Sequence, residues 1–263
     1  MQRSAALRLQ LEQDLEHRFP AALTPAPQSH RETAPTGIPQ VDDLLEGGLP
    51  VGAISELTGA VSSGRTSLAL AFVSARTTAG QACAWVDAGD ALDPESAAAC
   101  GVALSRLLWV RCSGAARAGM PNRTGRGSGS AQPWTQLDQA LRATDLLLQA
   151  GGFAAIVLDL GDAEPQCGNR IPLATWFRFR QAADRTRCSL VVLGRAAYAQ
   201  SSAALVLACR ADPATAPCQT VLRELSFAVE SGRQRFTPVR SMARRPPAST
   251  WSACAPWDQE QSA

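Results

Sequence analysis

The stretch ISELTGAVSSGRTSLALAF, Ile54–Phe72, decides how the chain folds. An apolar run of strand length, Ala53 to Leu57, leads into a glycine-rich turn, and Thr66 to Thr77 then carries the periodicity of a helix. Gly59 and Gly64 are spaced as in the turn GxxxxGK[ST], which cradles phosphate between a strand and a helix. In such a turn the backbone amides and the helix N-terminus hold phosphate oxygens, a lysine reaches the terminal phosphates, and the next hydroxyl binds magnesium. The candidate nucleotide-binding set is therefore Gly59, Ser62, Ser63, Gly64, Arg65, Thr66 and Ser67, with Arg65 standing where the lysine belongs. Arginine is longer, planar and forked, and is not interchangeable with a compact ammonium. All 25 basic residues are arginine, so any chemistry that needs a lysine is excluded.

Outward from this turn, short apolar runs alternate with helical patterns, as in a mostly parallel sheet covered by helices. Strands are expected at Ala82 to Val86, Leu107 to Val110, 153–159 (FAAIVLD), 189–194 (SLVVLG) and 203–209 (AALVLAC), and where Leu225, Phe227 and Val229 alternate. Helices are expected at Pro94 to Cys100, Thr135 to Gln149 and Leu173 to Arg185. Leu7, Leu11, Leu15 and Phe19 recur every fourth residue, the stripe of an amphipathic helix over 1–20 that ends at Pro20. Proline-rich 21–36 reads as a linker, 37–240 as the core, 113–133 as a flexible Gly, Ser and Arg insertion, and 241–263 as a disordered tail. Trp251 and Trp257 are potential anchors in that tail.

At 263 residues, with 46% hydrophobic and 18% charged residues, the chain suits a single α/β core. No apolar run reaches the roughly 20 residues of a membrane span. The N-terminus lacks the unbroken apolar segment of a secretory signal, so the expected compartment is the cytoplasm. Cys83, Cys100, Cys112, Cys167, Cys188, Cys209, Cys218 and Cys254 are scattered without a CxxC pair, as buried thiols in a reducing compartment would be. A net charge of +2 gives the whole chain no strong pull on nucleic acid, and direct DNA binding is expected to be weak or indirect.

The run TGIPQVDDLLEGGLPVGAISELTGAVSSGRTSLALAF, followed by ACAWVDAGDALDPESAAACGVALSRLLWV, resembles the ATPase core of the RecA recombinase almost in register. The likeness extends from Thr36 to Val110 and, more weakly, from Phe153 to Asp212. It implies a RecA-like P-loop α/β fold. Carried over by position, it puts the catalytic glutamate at Gly89, the magnesium-side acid at Asp159 and the glutamine that senses the terminal phosphate at Arg195. ATP with magnesium held by Thr66 and Asp159 is the implied cofactor, weakened by Arg65. A positioned general base contributes about 10²–10⁴-fold, so Gly89 argues against useful turnover unless Asp87 or Asp90 substitutes. The segment Gly194 to Ala203 is shorter than the loop with which the recombinase grips single-stranded DNA.

Among RecA-like proteins, GLPVGAISEL, LSRLLWVR, WTQLDQALRATDLLLQAGGFAAIVLDL and FRFRQAADRTRCSLVVL, in this order, look like the ImuA-like members. The resemblance implies a role in SOS-linked translesion synthesis, with RecA and an ImuB-like polymerase adaptor as partners and a homo-oligomer as a further expectation. The candidate partner surfaces are the Leu7, Leu11, Leu15, Phe19 stripe and the arginines Arg233, Arg235, Arg240, Arg244 and Arg245. Two alternatives stand beside this: a DNA-dependent recombinase paralogue that turns over ATP, and a cell-division inhibitor of the SulA type.

Overall fold

In the computed structural model, residues 29–112, 136–161, 171–211, 224–238 and 248–254 are described. An eight-stranded sheet runs in the order β12-β10-β9-β4-β8-β7-β5-β6. Its strands are β4 (Ile54–Thr58), β5 (Cys83–Asp87), β6 (Leu107–Arg111), β7 (Ala155–Asp159), β8 (Ser189–Gly194), β9 (Ala203–Ala211), β10 (Glu224–Gln234) and β12 (Ala248–Cys254). From β9 to β6 every pairing is parallel, and β10 lies antiparallel between β9 and β12. Short pairs complete the set: β1 (Ser29–Arg31) with β11 (Phe236–Pro238), and β2 (Thr33–Ala34) with β3 (Leu49–Pro50).

The central strands read as unbroken apolar runs because helices cover both faces of a parallel sheet. On one face Leu57, Cys83, Trp85, Val157, Val191 and Leu193 pack with α1 (Pro39–Leu44), α2 (Arg65–Thr78) and α3 (Pro94–Ala99). The residues that alternate with them, including Ile54, Ala84, Val86, Ile156, Leu158, Leu190 and Val192, pack on α4 (Gln136–Ala150) and α5 (Leu173–Thr186). Pro39 and Pro94 start their helices, where the missing N–H would have had no intrahelical partner. Asp93 caps α3 by accepting from Ser96 N at 2.9 Å.

The expected strands and helices of the core stand within two residues of the reading above, except that β10 runs five residues beyond Val229. Two expectations are corrected. The linker assigned to 21–36 contains strands β1 and β2 at its described end, with Arg31 Nη1 donating to Gly52 O and Asp184 Oδ1, each at 2.9 Å. The tail assigned as disordered from 241 contains β12, whose Trp251 is buried against Phe227 with ring centroids 4.8 Å apart. The sequence ASTWSAC has a single large apolar residue, Trp251, and so no apolar pattern of a strand; a pairing partner on β10 supplies the order. The N-terminal helix, the insertion 113–133 and Trp257 lie outside the described residues.

Candidate functional site at the phosphate loop

At the β4–β8 boundary the chain leaves β4 through α2 and returns two strands beyond β8, at β5, the kind of switch point where open α/β sheets bind ligands. The phosphate-type turn lies here, at the C-terminal ends of the strands. Gly59 N donates to Gly194 O at 3.2 Å, and Thr58 Oγ1 donates to Leu207 O at 3.1 Å, so the turn is fastened to both neighbouring strands. Gly64 adopts φ 86°, the left-handed region, and no side chain caps α2. A Cβ at Gly64 would meet the Phe227 ring at 2.6 Å, and one at Gly59 would meet Cys209 O at 2.3 Å. Both positions are therefore held to glycine by packing as well as by conformation. Ser62 also has a positive φ, 59°. Ser63 is buried and its Oγ has no hydrogen-bond partner.

Arg65 opens α2 and is buried, with 9% exposed. Its charge acts on Asp159 at the end of β7, on Cys209 of β9 and on Tyr198 in the loop after β8. Asp159 lies on the β8 side of β4 and Cys209 on the β9 side. Thr66 points to solvent and Ser67 is half-buried. Asp159 accepts from Gly161 N at 2.8 Å. Burial raises its carboxyl to about 6; the Gly161 amide and Arg65 oppose the rise and nearby Asp87 adds to it. Cys209 is pushed up to about 12 by burial, so it is an inert thiol.

Gly89 follows β5, and a Cβ there would meet nothing within 4 Å. The two neighbouring carboxylates are committed elsewhere. Asp87 accepts from Ala91 N at 3.1 Å, Leu92 N at 2.8 Å and Trp109 Nε1 at 3.3 Å, which makes it a staple for its own loop. Asp90 binds Arg111 through two contacts of 2.6 Å, and that guanidinium lies 4.8 Å from the Trp109 ring centroid. This hydrogen-bonded pair holds the Asp90 carboxyl below its ordinary range.

The model of the RecA N-terminal domain matches residues 10–117. Protein RecA of Brucella anthropi is 31% identical over 185 residues, covering 65% of this chain and 45% of that protein. Protein RecA of Allorhizobium ampelinum is 31% identical over 179 residues, covering 62% and 43%. The RadB recombinase structure superimposes with a TM-score of 0.54 over 82% of this chain and 93% of that one, at 19% identity, a likeness of fold.

The chain is similar to the RecA N-terminal domain over residues 10–117 and to RecA proteins over a longer part of its length.

It spans less than half the length of the curated RecA proteins it matches. Set on this fold, the expected nucleotide set Gly59 to Ser67 runs from the turn after β4 into the first residues of α2, and Asp159 stands at the end of β7, two strands from β4. Arg195, expected in the position of the phosphate-sensing glutamine, is exposed. The loop it begins is braced on all sides. Glu56 of β4, buried to 1% exposure, accepts from Tyr198 N at 2.6 Å and Ala199 N at 2.9 Å. Arg233 Nη2 donates to Gln200 O and lies 4.0 Å from Glu56 Oε2, and Arg235 Nη1 donates to Ser201 O at 3.0 Å. Burial raises the Glu56 carboxyl above its ordinary range, against the two amides and Arg233. Arg233 and Arg235, expected as partner contacts, thus hold the loop after β8; Arg240, Arg244 and Arg245, with Leu7, Leu11, Leu15 and Phe19, lie outside the described residues.

Sequence reasoning missed Glu56, Tyr198 and Phe227. For Glu56 a signal existed: a single charge within the apolar strand run AISEL has to be partnered once buried. The contact of Phe227 with the turn comes from a strand more than 160 residues away in sequence and left no local trace. Among the described residues no helix is long and apolar enough to cross a membrane, and no cluster of three or more His, Cys, Asp or Glu could hold a metal. A separate cavity of about 560 Å³, lined by Arg76, Gly80, Gly152 and Arg187 among others, lies at the N-terminal ends of β5, β7 and β8, remote from the turn.

Proposed function

We propose that this chain is a catalytically degenerate RecA-like accessory protein of SOS-linked translesion synthesis. In this reading it works by binding RecA and an ImuB-like polymerase adaptor, not by turning over ATP. The observation that carries the reading is Gly89 in the place of the catalytic base, with Asp87 and Asp90 both engaged in structural contacts. The braced loop from Gly194 to Ala203 supports the same view, because a segment fixed by four hydrogen bonds to the core is poorly suited to fold around a DNA strand. With neither base nor mobile loop, function resides in surfaces. The proposed surfaces are the Leu7, Leu11, Leu15, Phe19 stripe and the arginines Arg240, Arg244 and Arg245. A homo-oligomer is compatible with this assignment.

The test pairs ATP turnover, with and without single-stranded DNA, with binding to purified RecA and ImuB-like protein by interferometry. The expected result is background turnover and saturable binding to one of the two proteins, lost when 1–20 and 239–247 are both deleted. DNA-stimulated turnover would refute the reading and favour the recombinase paralogue; binding that survives both deletions would refute the surfaces.

A further inference from the structure

One flank of α5 has no helix beside it among the described residues. Trp176, Phe179, Ala182 and Ala183 are buried on the sheet side of α5, while Arg178 and Arg185 reach α4, donating to Asp145 Oδ1 at 3.1 Å and Gln149 Oε1 at 3.4 Å. Helical spacing then places Leu173, Phe177, Arg180 and Asp184 on the opposite flank. Leu173 is 49% exposed and Phe177 47%. The Arg180 guanidinium lies 5.3 Å from the centroid of the Phe177 ring, and among the described residues no carboxylate pairs with it. A crossover between parallel strands usually carries a helix. The one from β8 to β9 runs from Gly194 to Ala203 with a single 3-10 turn, Gln200–Ser202. Its Tyr198 and Ala199 pack in the same core layer as Trp176 and Phe179, so a thin loop borders α5 on this side.

The chain enters the described fold at the end of this same flank. Arg31 Nη1 of β1 donates to Asp184 Oδ1 at 2.9 Å, and Arg187 Nη2, just past α5, donates to Glu32 Oε2 at 2.6 Å. Residues 1–28 precede this point and lie outside the described residues. As a helix, the stripe from Leu7 to Phe19 covers about 18 Å, and the flank from Leu173 to Asp184 covers about 17 Å. The connector 21–28 reaches up to about 28 Å, enough to lay one along the other. Glu12 and Glu16, one turn apart beside the stripe, supply the carboxylates that Arg180 lacks.

We propose that the N-terminal segment 1–20 docks along this flank of α5 in its own chain, with Phe19 toward Asp184, Leu7 toward Leu173, and Glu12 and Glu16 facing Arg180. The stripe then has a seat in the isolated chain, which it leaves before another protein takes it. Docking on α5 concerns the chain alone and partner binding the complex, so either can fail without the other.

The test is limited tryptic digestion of the full chain, with mass spectrometry reading the rates of cleavage after Arg8 and Arg18 against those in a synthetic peptide of residues 1–28. Wild type is expected to be cut at these sites at least about tenfold more slowly than the peptide. Phe177→Asp should approach the peptide rate, with its thermal midpoint near that of wild type because the ring is half exposed. Leu11→Asp, on the segment itself and outside the described fold, should do the same. Arg180→Glu, which sets a negative charge against Glu12 and Glu16, should speed cleavage by about threefold or more. The wild-type rate should be equal at about 1 µM and about 100 µM protein, as an intramolecular contact requires. Wild-type cleavage at the peptide rate overturns the docking, as does a Phe177→Asp or Leu11→Asp protein cut as slowly as wild type. Protection that grows with concentration would assign the seat to a second copy and overturn docking within one chain.

Discussion

Replacing Asp159 with asparagine isolates the electrostatic character of the site. The carboxyl is displaced upward from 3.8 to about 6, chiefly by burial. At about 1.4 kcal/mol per pK unit, holding it ionised at neutral pH costs the folded state about 3 kcal/mol. With 7% of Asp159 exposed, solvent screening reduces this figure little. The sign follows from proton counting. Between about pH 4 and pH 6 the folded protein keeps a proton on Asp159 that the unfolded chain has released, so stability falls as pH rises through that window and levels off above it. Asparagine retains an oxygen for the Gly161 amide and carries no charge. Asp159→Asn is therefore expected to be more stable than wild type by up to about 3 kcal/mol at pH 8, to match it near pH 4, and to lose the slope between. Urea unfolding of both proteins across pH 4 to 8 measures this directly. A variant less stable than wild type at pH 8 would mean that attraction between Arg65 and the carboxylate outweighs burial, and would refute the argument.

Further substitutions test the scaffold, and a double variant tests the missing chemistry. Gly64→Ala forces a side chain into a left-handed backbone and into the Phe227 ring; a loss of at least about 1–2 kcal/mol is expected on denaturation, and Phe227→Leu should return only the steric part. Glu56→Ala leaves the Tyr198 and Ala199 amides without their acceptor, at about 1–3 kcal/mol each, and should speed tryptic cleavage after the exposed Arg195; unchanged cleavage would show that Arg233 and Arg235 suffice as braces. Trp251→Ala should cost about 3–5 kcal/mol and quicken amide exchange at Phe227 and Val229, whose strand β12 covers; unaltered exchange would contradict that packing. Gly89→Glu, placed where a side chain meets open space, combined with Arg65→Lys should raise magnesium-dependent ATP turnover by about 10²-fold or more. No gain would show that more than these two residues silences the site.

Local chemistry made much of this protein legible. Runs such as AAIVLD and SLVVLG are apolar on both faces because each central strand is sandwiched between helices, and the glycine spacing from Gly59 to Gly64 marks where the chain turns for phosphate. That residue 89 is glycine and that the chain has no lysine are properties of the sequence and need no coordinates. The structure alone decided what surrounds those positions. That Asp87 and Asp90 are engaged, that the charge of Arg65 acts on both Asp159 and Cys209, and that Glu56 clamps the loop after β8 all depend on segments brought together by the fold. The same holds for β12, too poor in apolar residues to be read as a strand until β10 offers it a ladder of hydrogen bonds. A sequence specifies which groups must be buried; only the tertiary arrangement fixes which partner each one meets, because hydrogen bonding and Coulomb attraction act over a few ångströms of space and are indifferent to separation along the chain.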